Sequence, residues 1–266
     1  MSIDHAPKRA QGTWIVRPKP NPDATLRMFC FPHSGVGASA YRTWLTAFPS
    51  DIDICLVQPP GRESRWGEPA FTRLEDLVPS AAEAIASHLT LPYAFFGHSL
   101  GALASFEIAR CLRRRGLPGP AWLFASSHRA PHLPNRHAEL HRLPDAELVS
   151  EIRRQYDGIP QLVLENPELL ALMLPGLRAD LTVFETYRYA DPTPLDCPIS
   201  AFGGRSDRRV TEAELDGWRE HTRGRFRVRM MEGDHFYLQP QRDRIVAAIR
   251  DDLALAGAAS VAAATR

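Results

Sequence analysis

The chain has almost no net charge, no long apolar run and no signal for export, and each absence argues against a class of protein. Its 266 residues carry a formal net charge of +1, which does not suit a surface built for nucleic acid. No apolar run approaches the length of a membrane span. Residues 1–21 contain prolines and charges where a signal peptide needs an apolar core. We therefore expect a cytoplasmic protein that binds neither nucleic acid nor membrane.

Cysteine is also scarce. The four cysteines are Cys30, Cys55, Cys111 and Cys197, and none has the CxxC or CxxH spacing of a zinc site. Three of them lie in apolar runs with the character of strands. This pattern predicts buried, reduced thiols and argues against a disulfide framework. We expect no resident metal or cofactor.

Alternating strand and helix patterns indicate one large α/β domain with a mostly parallel central sheet flanked by helices. Residues 1–25 contain four prolines and predict an extended arm, with a short edge strand near residues 13–17. The domain is expected to span residues 26–255, and the small-residue tail at 256–266 is expected to be disordered. Strands are predicted at residues 26–31, 53–58, 93–96, 121–126, 197–204 and 226–231.

The strand pattern stops between about residues 130 and 191, where loop and helical segments replace it. A helical insertion at this place predicts a lid over an active site. Its apolar surplus favours a lining for an acyl channel, although the same leucines could instead dock the lid on the body. These leucines are Leu169, Leu170, Leu172, Leu174, Leu177 and Leu181.

A long polar loop follows the predicted strand at residues 53–58. It carries Arg62, Arg65 and Trp66, which could line an approach for a substrate. Arginines in a loop are also commonly just solvated, so both interpretations stay open.

The most informative stretch is an apolar strand that runs through Gly97-His-Ser-Leu-Gly101 into a helix. A G-x-S-x-G turn of this kind holds its serine in a strained backbone conformation, and the flanking glycines let strand and helix pack closely. The pentapeptide alone is a weak signal, but the segments on both sides have the expected apolar patterns. Ser99 is therefore the predicted nucleophile.

A serine hydroxyl needs a histidine to accept its proton and a carboxylate to orient that histidine. In chains with this turn the order is serine, then acid, then histidine. His235 follows the last predicted strand, and Asp207 follows the strand at residues 197–204. Asp196 precedes that strand and lies at the wrong edge of the sheet. The predicted catalytic residues are Ser99, Asp207 and His235.

The other histidines near these elements are weaker candidates for the base. His98 adjoins Ser99 but points elsewhere on the same turn, and His221 is expected on or after a surface helix. A further four lie at or in the lid: His128, His132, His137 and His141.

An oxyanion needs two backbone donors close to the nucleophile. Leu100 begins the helix after Ser99, so its backbone N–H is free for this role. A second donor is expected in the turn at residues 32–37, between an early strand and the next helix. The backbone N–H of Ser34 is the first candidate there and that of Gly35 the runner-up, with a plain two-glycine turn as the alternative.

Eight short motifs are spread over residues 26–240. They are Phe31-Pro-His-Ser-Gly35, Gln58-Pro-Pro-Gly-Arg62, Gly67-Glu-Pro69, Phe96-Gly-His-Ser-Leu-Gly101, Ser127-His-Arg-Ala-Pro131, Leu177-Arg-Ala-Asp180, Phe202-Gly-Gly204 with Asp207, and Gly233-Asp-His-Phe236. With them the chain resembles the free-standing type II thioesterases of polyketide and nonribosomal peptide synthesis, which have the α/β-hydrolase fold. Leu100 stands where such enzymes often have methionine, and Val36 replaces the more usual second glycine. Both positions keep their backbone donors.

The resemblance implies hydrolysis of aberrant or stalled acyl groups from the phosphopantetheine arm of acyl or peptidyl carrier protein domains, through an ester on Ser99. Because no carrier, condensation or ketosynthase segment flanks the domain, we expect a separate, monomeric protein that acts in trans. A small-molecule carboxylesterase or lipase with the same fold is the alternative. A binding module that kept the fold without catalysis is a third hypothesis.

Overall fold

A mostly parallel sheet lies at the centre of the computed structural model, which describes residues 12–156, 159 and 161–264. Its strands are β1 (Ile15–Val16), β2 (Leu26–Phe31), β3 (Ile52–Val57), β4 (Tyr93–His98), β5 (Trp122–Ser126), β6 (Ile199–Gly204) and β7 (Phe226–Met231). They lie in the order β1-β3-β2-β4-β5-β6-β7, and only the β1–β3 pair is antiparallel within the described residues. This architecture confirms the predicted fold class.

Helices cover both faces of the sheet. The α-helices are α1 (Leu74–Ala86), α2 (Leu100–Arg114), α3 (Asp145–Tyr156), α4 (Gln161–Leu164), α5 (Pro167–Thr186), α6 (Glu212–Asp216) and α7 (Arg242–Ala264). Short 3₁₀ helices occupy Ala38–Thr46, Glu63–Arg65, Leu140–Arg142 and Gly217–His221. The chain between β5 and β6 thus contains α3, α4 and α5, in the segment where the sequence placed a helical lid.

Two apolar layers hold the helices against the sheet. On one face, α1 and α2 pack on the strands through side chains such as Ala82, Phe95 and Leu103. On the other face, the 3₁₀ helix at Ala38–Thr46 and α7 pack through Trp44 and Ile249. Every residue of β4 is buried because both layers cover it. The turn that follows β4 is therefore anchored on a strand that is buried along its whole length.

The predictions for the two ends of the chain had different outcomes. The predicted edge strand is present as β1, while residues 1–11 of the predicted arm lie outside the described residues. The tail predicted to be disordered is helical through Ala264, because α7 continues past residue 255. This last stretch is rich in alanine, the residue with the highest helix propensity, which favours continuation of the helix over its end.

All four cysteines are buried with free thiols, as predicted. Cys30 and Cys55 lie in adjacent strands, and burial raises the pKa of the Cys55 thiol to about 12. A thiol held in this state is a packing group and not a nucleophile.

Candidate active site

Ser99 lies in the turn between β4 and α2, with backbone angles of φ +55° and ψ −118°. A positive φ is uncommon for a residue other than glycine and costs on the order of 1–3 kcal/mol. Packing enforces the turn. A Cβ on Gly97 would lie 2.2 Å from the carbonyl oxygen of Gly101, and a Cβ on Gly101 would lie 2.2 Å from that of Phe31. Glycine is therefore required sterically on both sides of the serine, as the sequence predicted.

His235 and Asp207 meet at the carboxyl ends of β7 and β6. Asp207 Oδ2 lies 2.8 Å from His235 Nδ1, and both side chains are buried. A proton on Nδ1 that is donated to this carboxylate leaves the lone pair on Nε2, the tautomer that a general base needs. The structure therefore joins the two residues in the relation that the sequence predicted.

The charge on Asp207 is stabilised locally. Burial alone would raise its pKa, but the hydrogen bond from His235 and the charge of that ring outweigh burial and hold the pKa below its usual value. The backbone N–H of Arg209, 2.8 Å from Asp207 Oδ1, acts in the same direction. Asp207 stays ionised at neutral pH and keeps His235 in one orientation.

Ser99 and His235 line the same two cavities, so their side chains face a common space. Among the described residues, no hydrogen bond joins the hydroxyl of Ser99 to the imidazole of His235. Catalytic hydrogen bonds are often loose in the unliganded enzyme and tighten when a substrate binds.

The two oxyanion candidates in the turn after β2 are distinguished by their contacts. Gly35 N–H already donates to Asp180 Oδ2 at 2.8 Å, so it is not free to hold an oxyanion. Ser34 N–H and Leu100 N–H have no acceptor within the part of the chain that the structure describes. These are the two donors that the sequence put first.

Two side chains from the loop after β3 accept hydrogen bonds from the backbone at the end of the same turn. Glu63 Oε1 accepts from Gly37 N–H at 3.0 Å, and Gln58 Oε1 accepts from Ala38 N–H at 2.9 Å. Glu63 also accepts from the backbone and hydroxyl of Ser39. Reasoning from the sequence missed this support, although the motif from Gln58 to Arg62 was a signal that this loop had a role.

Arg62 and Arg65 do not line a substrate approach and are not solvated, so both interpretations of these arginines were wrong. Arg62 is buried and forms an ion pair with Asp180, the carboxylate of α5 that also holds Gly35. Arg65 is buried against the ring of Trp14 and pairs with Glu68 at 2.6 Å. Through Asp180, the ion pair with Arg62 links the loop after β3 to α5 and to the turn at residues 32–37.

The larger of the two cavities has a volume of about 420 Å³ and lies between the turn at residues 33–36 and the lid. None of the described residues that line it is Asp, Glu, Lys or Arg. Its wall on the lid side consists of Ile152, Tyr156, Ile159, Val163, Met173, Leu177, Leu181 and Phe184. A neutral, apolar ligand fits this lining.

The lid leucines divide between the two roles left open by the sequence. Leu177 and Leu181 line the cavity, whereas Leu174 is buried in the small core of the lid itself. Leu169 and Leu172 are 39% and 48% exposed. The walls supplied by α3 and α4 were missed, because no local pattern shows which faces of separate lid helices will converge.

Burial keeps the neighbouring histidines neutral. Burial lowers the pKa of His33 to about 4, a hydrogen bond to the carbonyl of Ser34 opposes this, and the charge of His235 adds to it. His98 is also buried, with Nδ1 2.8 Å from Ser126 Oγ, and burial lowers its pKa. His221 ends the 3₁₀ helix at Gly217–His221, as expected, but the residue is 1% exposed. His235 is the histidine that a carboxylate orients at the mouth of the cavity.

The chain is similar to known proteins over most of its length. A model of the thioesterase domain matches residues 26–253, a segment that contains Ser99, Asp207 and His235. The gramicidin S biosynthesis protein GrsT of Aneurinibacillus migulanus is 42% identical over 233 residues, which cover 88% of this chain and 91% of that protein.

Two solved structures show the same arrangement of the chain. RedJ, a thioesterase from the prodiginine biosynthetic pathway of Streptomyces coelicolor, aligns with a TM-score of 0.82 at 39% identity and 88% coverage of both chains. BorB, a type II thioesterase from the borrelidin biosynthetic cluster, aligns with a TM-score of 0.83 at 35% identity, covering 91% of this chain and 98% of that chain. Because the family model and these relatives match most of its length, this chain belongs to the thioesterase domain family.

Proposed function

We propose that the protein is an editing thioesterase that hydrolyses aberrant or stalled acyl groups from the phosphopantetheine arm of acyl or peptidyl carrier protein domains. One observation carries the proposal: a serine in a strained turn and an aspartate-oriented histidine meet at the mouth of an apolar cavity under a helical lid. Similarity to RedJ and BorB, two thioesterases of biosynthetic pathways, supports a carrier-bound substrate.

The chemistry follows from the arrangement of the triad. Ser99 Oγ attacks the thioester carbonyl while His235 Nε2 takes its proton, and the oxyanion lies on the N–H groups of Leu100 and Ser34. The C–S bond breaks and His235 gives the proton to the leaving thiol. A water then attacks the ester on Ser99, passing its proton through His235 to Ser99 Oγ, and the free acid leaves. No resident cofactor enters either step.

The cavity places limits on the acyl group. Its lining is aliphatic and aromatic and carries no Asp, Glu, Lys or Arg among the described residues, so an uncharged acyl chain is favoured over one that ends in a carboxylate. The thioester end lies at Ser99 and His235, and the chain extends toward α3, α4 and α5. The phosphopantetheine arm is long and flexible enough to deliver such a group from a separate carrier.

Location and assembly follow from the same proposal. Within the described residues, no helix combines the length and the apolarity needed to cross a bilayer. A cytoplasmic monomer that visits carrier domains of a synthase fits the proposal.

Hydrolysis of small free esters is the second candidate, because an apolar cavity of this size also admits the acyl chain of such an ester. The two functions separate in one experiment, which compares kcat/KM for one acyl group presented on a carrier domain and as a free ester. The proposal predicts a higher kcat/KM for the carrier thioester. A higher value for the free ester assigns the protein to the carboxylesterases.

A further inference from the structure

A second, much smaller cavity lies beside the catalytic residues. Its volume is about 10 Å³, and it borders both Ser99 and His235. The tips of the chain after β5 and β6 form its walls, through His128 and Arg209, with Tyr156 of the lid above. The cavity therefore borders the reacting centre, and it shares Tyr156 and Phe184 as well as the two catalytic residues with the lining of the apolar acyl cavity.

Three residues in its walls have a buried polar side-chain atom without a hydrogen-bond partner within the described part of the chain: Ser127 Oγ, His128 Nε2 and Arg209 Nε. The hydroxyl of Ser127 lies against Asp207 and Tyr237 and lowers the pKa of both. The other two atoms belong to residues that are 2% and 7% exposed, and they are Nε2 of His128 and Nε of Arg209. Buried polar groups in native proteins are nearly always hydrogen-bonded to protein or to ordered water. Two such atoms in one cavity beside the nucleophile point to a ligand with polar contacts.

The two atoms are complementary. His128 Nδ1 is paired with the backbone carbonyl of Arg129, so this nitrogen carries the proton. Burial lowers the pKa of His128 to about 3, with the charge of Arg129 adding to the shift, so the ring is neutral and Nε2 is an acceptor. Arg209 Nε carries a hydrogen and is therefore a donor.

The volume of the cavity limits the size of the ligand that it can bind. About 10 Å³ is close to the minimum volume that holds one water molecule, and a bound water needs two to four polar partners. One donor and one acceptor from the walls satisfy half of its hydrogen bonds and leave one hydrogen and one lone pair for the reacting groups. An acyl chain or a carboxylate does not fit this volume.

We propose that this cavity binds the water that hydrolyses the acyl-enzyme, held by His128 Nε2 and Arg209 Nε–H beside His235. The inference rests on the acyl-Ser99 mechanism of the proposed function. In the step, the water oxygen forms a bond to the ester carbonyl carbon while its proton passes to His235 Nε2. The bond from that carbon to Ser99 Oγ then breaks, and the proton moves from His235 to Ser99 Oγ.

Variants of His128 distinguish the effect of losing the acceptor at Nε2 from the effect of changed packing. In His128→Asn the side-chain amide keeps a donor near the position of Nδ1, for the carbonyl of Arg129, but loses the acceptor at Nε2. In His128→Gln the longer amide places an acceptor near the position of Nε2. Arg209→Met, which keeps an apolar stem and removes the donor, is an independent second variant.

The measurement is a single-turnover reaction with a p-nitrophenyl ester, in which nitrophenolate release reports acylation and intact mass reports the acyl group on Ser99. In His128→Asn and Arg209→Met we expect acylation within about twofold of wild type and deacylation slower by about tenfold, as for the loss of one hydrogen bond to a positioned group. The acyl-enzyme therefore accumulates. His128→Gln recovers part of the deacylation rate.

His221→Asn is the matched control, because His221 is also buried and neutral but contacts His132 and Tyr189 and lines neither cavity. Both rates in this variant are expected to equal those of wild type. Equal loss of acylation and deacylation in His128→Asn and Arg209→Met, unchanged deacylation, or no acyl-Ser99 in wild type would each overturn the inference. Because the substrate is a free ester, failure to hydrolyse carrier thioesters is a separate result that counts only against the proposed function.

Discussion

At the scale of single residues, the site depends on two features that the fold imposes at a cost. Ser99 is held at positive φ, and Asp207 is ionised although it is buried. A positive φ is unfavourable for a serine, and burial alone is unfavourable for a carboxylate charge. Neighbours maintain both features: glycines 97 and 101 give the turn the space it needs, and the hydrogen bond from His235 stabilises the charge on Asp207.

Asp207→Asn should leave the fold intact and reduce kcat by about 10³- to 10⁴-fold, because an amide stabilises the wrong tautomer of His235. The matched control is Asp234→Asn. Asp234 adjoins His235, but it accepts from the backbone N–H of Phe236 at 2.8 Å and does not orient the ring. Its kcat is expected to stay near that of wild type. Wild-type activity in Asp207→Asn would show that another group orients the base.

His221 should make the protein less stable in mild acid. Burial, with nearby His132 and Arg110, lowers the pKa of His221 to about 4 in the folded state. Between pH 4 and the unfolded value of about 6.5 the unfolded chain binds more protons, so stability falls as the pH falls through this window. The slope is at most about 1.4 kcal/mol per pH unit for this group.

Urea unfolding of wild type and His221→Asn at pH 7 and pH 5 measures this contribution. The loss of unfolding free energy between the two pH values should be smaller in the variant. An equal loss in both proteins would mean that other groups carry the acid sensitivity.

At the scale of elements, one carboxylate joins α5 of the lid to the turn at residues 32–37. Asp180 of α5 accepts from Gly35 N–H and pairs with Arg62, and all of these contacts are buried or half-buried. Leu177, one turn earlier on α5, lies so close that a Cβ on Gly35 would be 3.2 Å from its Cδ1. The position of α5 therefore helps to set the position of Ser34 N–H.

Asp180→Asn should lower kcat by about tenfold with little change in KM, because an oxyanion donor acts mainly in the transition state. A boronic acid that mimics the tetrahedral intermediate should bind more weakly by a similar factor. Asp252→Asn is the control, since Asp252 is equally buried and pairs with two arginines, Arg227 and Arg229, on the far side of the sheet. Loss of stability without the selective loss of boronate affinity would make Asp180 a packing residue.

Whether a feature of this molecule can be predicted from its sequence depends on how far apart along the chain the interacting residues lie. β2 and β7 have the predicted bounds and α2 begins at the predicted residue, Leu100, because local apolar patterns and the G-x-S-x-G turn define them. The contact between Asp207 and His235 was also predicted, since each residue follows a recognisable strand, and the catalytic roles of Ser99, Asp207 and His235 stay predictions. The ion pair between Arg62 and Asp180 joins residues 118 positions apart, and no local pattern reveals such a contact.

The same limit explains the lid. Its existence was visible as a gap in the strand pattern, but the wall of the acyl cavity is formed where faces of α3, α4 and α5 converge. The leucine pattern of α5 alone does not distinguish Leu177, which lines the cavity, from Leu172, which faces solvent. Only the packing of three helices makes that distinction.

At the scale of the whole molecule, the body supplies the triad and the lid supplies most of the cavity wall, so the depth of the cavity should set the preferred acyl length. Met173→Trp adds volume to the wall and should shift the preferred acyl group to a shorter chain. Leu172→Trp makes the same change one residue away on an exposed position and should leave the preference unchanged. The measurement is kcat/KM over acyl groups of graded length, and parallel shifts in both variants would contradict the assignment of the cavity.

The central claim is that Ser99 removes acyl groups from carriers, and intact mass spectrometry of an acyl-loaded carrier domain tests it most directly. With the wild-type protein, the carrier should return to the mass of its free phosphopantetheine form while the free acid accumulates. With Ser99→Ala, the carrier should keep its acyl group at the background rate. The claim is contradicted if Ser99→Ala unloads the carrier as fast as wild type, or if wild type cleaves a free ester of the same acyl group but leaves the carrier loaded.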